Sequence, residues 1–168
     1  MAISISIEGL SDLKVTNEQM ALWGKKPFKG KASLRIKHIW AEENNKAFKS
    51  KGKSIGEKWP PLSLSYKSWK DAHFPNRPLL VLKGNLKASL TKTNSKLMIF
   101  NNRKGNQLVL GSRVPYANAH NYGSRRRGRK IPMRKMVKVT QKTADLWANE
   151  MRKDVEIAMT GSNKWQGR

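Results

Sequence analysis

The sequence contains no cysteine among its 168 residues, which excludes disulfides and thiolate metal sites. It is also poor in acids, with eleven Asp and Glu against 35 Lys and Arg and a formal net charge of +24. Asp71 and Asp145 bound residues 72–144, which carry seventeen basic side chains and no acidic one. No apolar run approaches the ~20 residues that a bilayer-spanning helix needs, so a membrane is not expected as a partner. The segment Met1–Leu10 has neither a charged start nor an apolar block. It is therefore not expected to be a signal peptide, and a cytoplasmic site of synthesis is expected.

Catalytic patterns are equally scarce. His38, His73 and His120 have no metal-ligand spacing with another histidine or a carboxylate. Asp71 and His73 stand two residues apart, which on a helix turns them in different directions. Lys51-Gly52-Lys53-Ser54 ends like a phosphate-cradling loop but lacks the earlier glycine. There is no cluster of Asp, Glu or His such as a metal-dependent nuclease needs. The expectation is a non-enzyme with no catalytic residue, metal or cofactor.

What the chain does have is unevenly placed charge. Residues 1–71 carry fourteen basic and seven acidic side chains, and residues 145–168 carry four of each. The cationic surplus therefore sits in the acid-free middle. A surplus of this size repels itself in a compact monomer and attracts nucleic acid or an acidic protein face. Hydrophobic residues make up 38%, a lean fraction for a chain of this length. Part of the chain is thus expected to order against a partner. The densest stretch, Ser124–Lys138, holds Arg125, Arg126, Arg127, Arg129, Lys130, Arg134, Lys135 and Lys138. It follows Tyr122-Gly123 and contains Gly128 and Pro132, which predicts an extended basic loop. The plain alternative is a solvated basic surface.

Periodicity predicts an α+β fold: a small antiparallel sheet packed with a long helix in the N-terminal half and a helix at the C-terminal end. Ile3, Ile5 and Ile7 alternate as in a strand. Val15–Trp23 fits a short helix. Ala32, Ile36, Ile39, Trp40, Ala47 and Phe48 fall on one face of a helix over about 31–50. Lys51–Lys58 reads as a flexible loop, followed by a rigid Trp59-Pro60-Pro61 stretch. Ser63 or Ser65 is placed to cap a short helix through Trp69. An apolar run at Leu79–Leu82 leads to Gly84, and Leu86–Leu90 begins a further element. Lys96–Asn101 and Gln107–Gly111 read as strands joined by a hairpin turn. Ala144, Trp147, Ala148, Met151, Val155 and Ala158 make the stripe of a last helix over Thr140–Met159, with Thr140 as its cap. One domain is expected, with residues 1–30 as an N-terminal strand or arm, 31–159 as the α+β core and 160–168 as a flexible tail.

Four blocks go further. They are Gly56-Glu57-Lys58-Trp59-Pro60-Pro61-Leu62-Ser63 with Tyr66 and Lys70; Pro78-Leu79-Leu80 with Leu82-Lys83-Gly84-Asn85-Leu86 and Ser89; Pro115-Tyr116-Ala117-Asn118-Ala119-His120-Asn121-Tyr122-Gly123; and Ile131-Pro132-Met133-Arg134. In this order and spacing, over about 31–138, they resemble the phage virion-morphogenesis family, the tail-completion proteins of Mu-like and P2-like contractile phages. The third block also resembles small neck and tail-terminator proteins. Asn121 stands where family members often have Gln, and Lys135-Met136 stands where Pro and an aromatic usually follow.

The resemblance implies a ring of subunits at the head–tail junction, sixfold or matching the neck symmetry. Implied partners are further copies of itself, other neck, connector and tail proteins, and genomic DNA in the channel. The implied location is the virion, assembled in the host cytoplasm. Arg125, Arg126, Arg127, Arg129, Lys130, Arg134 and Lys135 are the expected interaction residues. Trp59, Pro60, Gly84, Tyr116, His120, Gly123 and Pro132 are expected to be structural: Trp59 bracing the long helix, Gly84 turning the chain, Tyr116, His120 and Tyr122 packing at the sheet edge, and Pro132 fixing the return of the loop. His120 is expected to hydrogen-bond the loop backbone. The competing expectation is a free basic nucleic-acid-binding protein, with Trp residues stacking on bases.

Overall fold

The computed structural model describes residues 2–6, 24–126 and 129–160. The helix expected over Val15–Trp23, residues Arg127 and Gly128, and residues 161–168 of the expected tail lie outside the described residues. The architecture is α+β, in line with the patterning. Strand β1 (Ala2–Ser6) is followed by α1 (Ala32–Lys49), α2 (Leu64–His73), α3 (Asn85–Thr91), β2 (Met98–Asn101), β3 (Gln107–Ser112), α4 (Ala117–Tyr122), β4 (Ser124–Arg126), β5 (Arg129–Ile131) and α5 (Gln141–Thr160). The chain groups into two compact units, and α1 runs through both.

One unit takes in residues 2–40, 99–111 and 141 onward. It carries the three-stranded sheet in the order β1–β3–β2, apart from the end residues Met98 and Ser112. β1 pairs antiparallel with β3, Ala2 opposite Gly111 and Ser6 opposite Gln107. The turn of the β2–β3 hairpin is stitched down. Gly105 O accepts from Phe28 N at 2.8 Å, and Asn102 Nδ2 donates to Phe28 O and Ser33 Oγ. The buried residues are those the helical stripes predict: Ala32, Ile36 and Trp40 on α1, Trp147 and Met151 on α5, with Phe28, Leu108 and Leu110. Ala148, expected on the α5 stripe, is exposed, and buried Thr143 and Asp154 extend the inward face instead. Asp154 has a reason to be inside. Its Oδ2 accepts from Ala32 N at 2.9 Å, satisfying one of the free donors at the start of α1. Its Oδ1 takes Arg35 Nη2 at 2.6 Å, while Arg35 Nε donates to Glu150.

The other unit takes in 41–98 and 112–140. Its buried apolar residues include Phe48, Ile55, Trp59, Leu86, Leu90, Val114, Met136 and Val137. Lys51–Lys58, expected to be flexible, is an ordered turn. Gly52 N donates to Ala47 O at 2.8 Å, a 3-10 turn spans Lys53–Ile55, and Ile55 is buried. Gly52 sits at φ 87°, and a Cβ there would lie 2.6 Å from the Trp59 ring. The glycine thus lets Trp59 close over the end of α1, where its ring meets Phe48 edge-on at 5.4 Å. Ser63 precedes α2 but makes no side-chain cap bond, and α2 continues four residues past Trp69 to His73. Gly84 lies at φ 86° directly before α3.

Candidate interaction surface

Charge separates along the two units. The unit of 41–98 and 112–140 has 21 Lys and Arg against four acids, or +17; the remaining residues have 14 against seven, or +7. Three of those four acids are already engaged: Glu43 with Lys46, Asp71 with Lys67, and Glu57 with both Lys138 at 3.0 Å and Lys135 at 3.7 Å. The hydrogen bond from Lys138, working against burial, holds the Glu57 carboxyl below the usual carboxylate range.

The basic stretch divides into a buried root and an exposed tip. Arg134 is at the root, 4% exposed. Its Nε donates to Pro60 O at 2.8 Å and its Nη2 to Pro61 O at 2.7 Å, and its backbone N donates to His120 O at 2.7 Å. A planar fork suits two successive carbonyls that the prolines hold rigid. Arg134 is therefore a structural clasp and not an exposed interaction residue. No ion pair to it occurs among the described residues, and burial pushes its pKa down against the opposing effect of Tyr66. Beside it, Lys135 O accepts from Trp59 Nε1 at 2.7 Å, and its own Nζ is drawn to Glu57. Asn121, almost wholly buried, accepts Met136 N at 2.9 Å and Val137 N at 3.3 Å through Oδ1. Pro132 stands half-buried between tip and root.

The tip is a hairpin, not the loop that Gly128 and Pro132 predicted. β4 and β5 pair antiparallel, with Ser124 opposite Ile131, Arg125 opposite Lys130 and Arg126 opposite Arg129. A glycine is required where the hairpin leaves α4. Gly123 lies at φ 75°, and a Cβ there would approach Met133 N to 3.1 Å and Ile131 O to 3.2 Å. Arg125 and Lys130 are both exposed.

Two other expectations are corrected. Tyr116, just before α4, is 47% exposed and Tyr122, its last residue, is 65% exposed, so neither is packed away. His120 joins the loop through its backbone carbonyl, whereas its ring Nδ1 is buried with no hydrogen-bond partner among the described residues. Burial, with the nearby Arg134 charge, pushes its pKa down.

Sequence reasoning missed two residues that matter. Lys70, 3% exposed, donates Nζ to Pro78 O at 2.6 Å and so ties α2 to the Pro78-Leu79-Leu80 turn. Asn121 is the second, read as a mild departure when it is a buried acceptor for two backbone groups. Neither role has a signal in periodicity or motif, since Lys70 meets a carbonyl eight residues on and Asn121 meets amides fifteen and sixteen residues on. Around Lys70, α2 leaves Leu64, Tyr66 and Trp69 exposed, with Trp69 stacked on Tyr66 and His73 at 5.4 and 5.0 Å between centroids. Among the described residues, no group of three His, Cys, Asp or Glu is placed to hold a metal, and no helix is long and apolar enough to cross a membrane. No family model, curated protein or solved structure matches the chain.

Proposed function

We propose that this chain is a structural protein of the phage virion, a ring-forming component of the neck that completes the tail or connects head and tail. One observation carries the reading: the four sequence blocks that resemble the virion-morphogenesis family are the segments that hold one another. The first is bonded to the fourth through Arg134 and Pro60-Pro61, and Trp59 bonds Lys135 just beyond it. The fourth is bonded to the third through Arg134 N and His120 O, and the first to the second through Lys70 and Pro78. Short motifs alike by chance carry no requirement to meet. In this reading the interlocked blocks form the body of the subunit, and the hairpin and exposed aromatics serve contacts in the assembly. Ring symmetry repeats each such contact around one axis, which multiplies weak interactions.

The competing reading is a free nucleic-acid-binding protein, favoured by the +17 unit. Among the described tryptophans Trp40, Trp59 and Trp147 are buried, which leaves Trp69 for base stacking. The test is a deletion in the parent phage, with mass measurement of the purified protein and quantification of it in particles. The expected outcome is a ring in solution or in particles, a fixed copy number per virion, and separated heads and tails when it is deleted. A monomer absent from virions, with loss of DNA replication in the deletion, sinks the neck reading.

A further inference from the structure

We propose that the β4–β5 hairpin is a ribbon that binds the phosphate backbone of duplex DNA, with Arg125 and Lys130 gripping from its two strands. The proposal rests on the register of the hairpin and stands whether or not the chain belongs to a phage neck.

The register sets Arg125 directly opposite Lys130, and Arg126 directly opposite Arg129. Like charges facing one another across a strand pair destabilise it. A two-stranded ribbon has little stability in reserve to absorb that cost. Among the described residues Arg125 and Lys130 enter no ion pair, and Glu57 is taken by Lys135 and Lys138. An external anion lying across both strands relieves that repulsion.

The root is built to hold the ribbon in that costly state. Gly123 turns the chain where a Cβ would strike Met133 N, Arg134 clasps two proline carbonyls, and Asn121 secures the backbone at Met136 and Val137. Little conformational entropy remains to be lost when a ligand orders the base of the hairpin.

Composition selects the partner. From Ser124 to Lys130 the sequence is Ser, five cations and one Gly, with no apolar or aromatic residue. A protein interface needs an apolar or aromatic centre with charge kept to its rim. A single strand needs successive aromatics to stack on its bases, and none stands between Ser124 and Lys130. A duplex needs neither: it presents about one negative charge per 1.7 Å of axis, and binding is driven by release of its counterions. Its major groove, about 12 Å wide, admits a two-stranded ribbon.

The experiment uses the full chain and a mixed-sequence duplex of about 30 base pairs, with affinity followed by anisotropy over a salt series. Wild type is compared with Arg125→Ser/Lys130→Ser and with Lys92→Ser/Lys96→Ser, which removes the same charge from exposed positions of the same unit. Circular dichroism and urea midpoints confirm that all three are folded. The hairpin variant is expected to lower the slope of log affinity against log salt by about 1.8, from about 0.9 per phosphate contact, and the control pair by less than half of that. Equal losses in the two variants reduce the effect to bulk charge and overturn the proposal. So does wild-type protein that fails to bind the duplex at low salt. A hairpin variant that binds the duplex normally but loses binding to polyglutamate overturns it in favour of an acidic protein partner. A hairpin that binds DNA in a chain absent from virions sinks the neck reading and leaves this one standing; a virion ring whose hairpin ignores DNA does the reverse.

Discussion

Arg134 shows how little a residue type reveals about its role in so basic a chain. Thirty-four other cations share its charge. What sets it apart is a pair of acceptors, Pro60 O and Pro61 O, some seventy residues away. Replacing it with Met removes both bonds but also a buried charge, so the net loss is expected to be about 1–3 kcal/mol, the cost of leaving buried acceptors unpaired. Arg134→Lys keeps the charge but not the fork, and is expected to restore less than half of that loss. Urea midpoints with unchanged slopes measure both. A lysine variant as stable as wild type would show that charge alone, and not the two-carbonyl geometry, holds the site.

At the scale of elements, α1 and α5 depend on one buried carboxylate. Asp154 receives the first amide of α1 and the guanidinium of Arg35 together. Removing one partner of a fully buried pair costs 3–5 kcal/mol; the Arg35 side chain remains 33% exposed, so Asp154→Ala is expected to cost about 2–3 kcal/mol. Asp154→Asn keeps an acceptor for Ala32 N and is expected to cost less. Thermal unfolding of the two variants ranks them, and equal losses would assign the effect to the ion pair and none of it to the helix start. The hairpin is the element where propensity misled. Gly128 and Pro132 predicted a loop, and Pro132 does end the pairing one residue after Ile131. The strands before it nevertheless form, because the clasp at Arg134 and the turn at Gly123 bring their ends together.

Across the whole molecule, the dominant quantity is the surplus of +24 and its concentration in one unit. Self-repulsion of this kind is relieved by salt. Raising ionic strength from about 0.01 M to about 0.15 M shortens the screening length from about 30 Å to about 8 Å. The melting temperature is expected to rise over that range, by about 2–4 °C for each kcal/mol relieved in a chain of this size. A melting temperature independent of salt would mean that the repulsion is already compensated within the fold. Duplex DNA is expected to raise it further at low salt, because a ligand that binds only the folded state stabilises it.

The α+β class, the two long helices, the β2–β3 hairpin and most of the buried stripe were legible in the sequence by itself. Those features depend on periodicity and on turn residues, which act over a few positions along the chain. The concentration of cations was legible too, since counting suffices. Which cations are free to act was not. Arg134 is buried on carbonyls of distant prolines and Lys70 on that of Pro78, Lys135 and Lys138 converge on Glu57, and Arg125 faces Lys130 across a ribbon. A charge becomes a clasp, a neutralised pair or an exposed grip according to which acceptors lie within about 3 Å of it, and only the tertiary structure brings those acceptors into place.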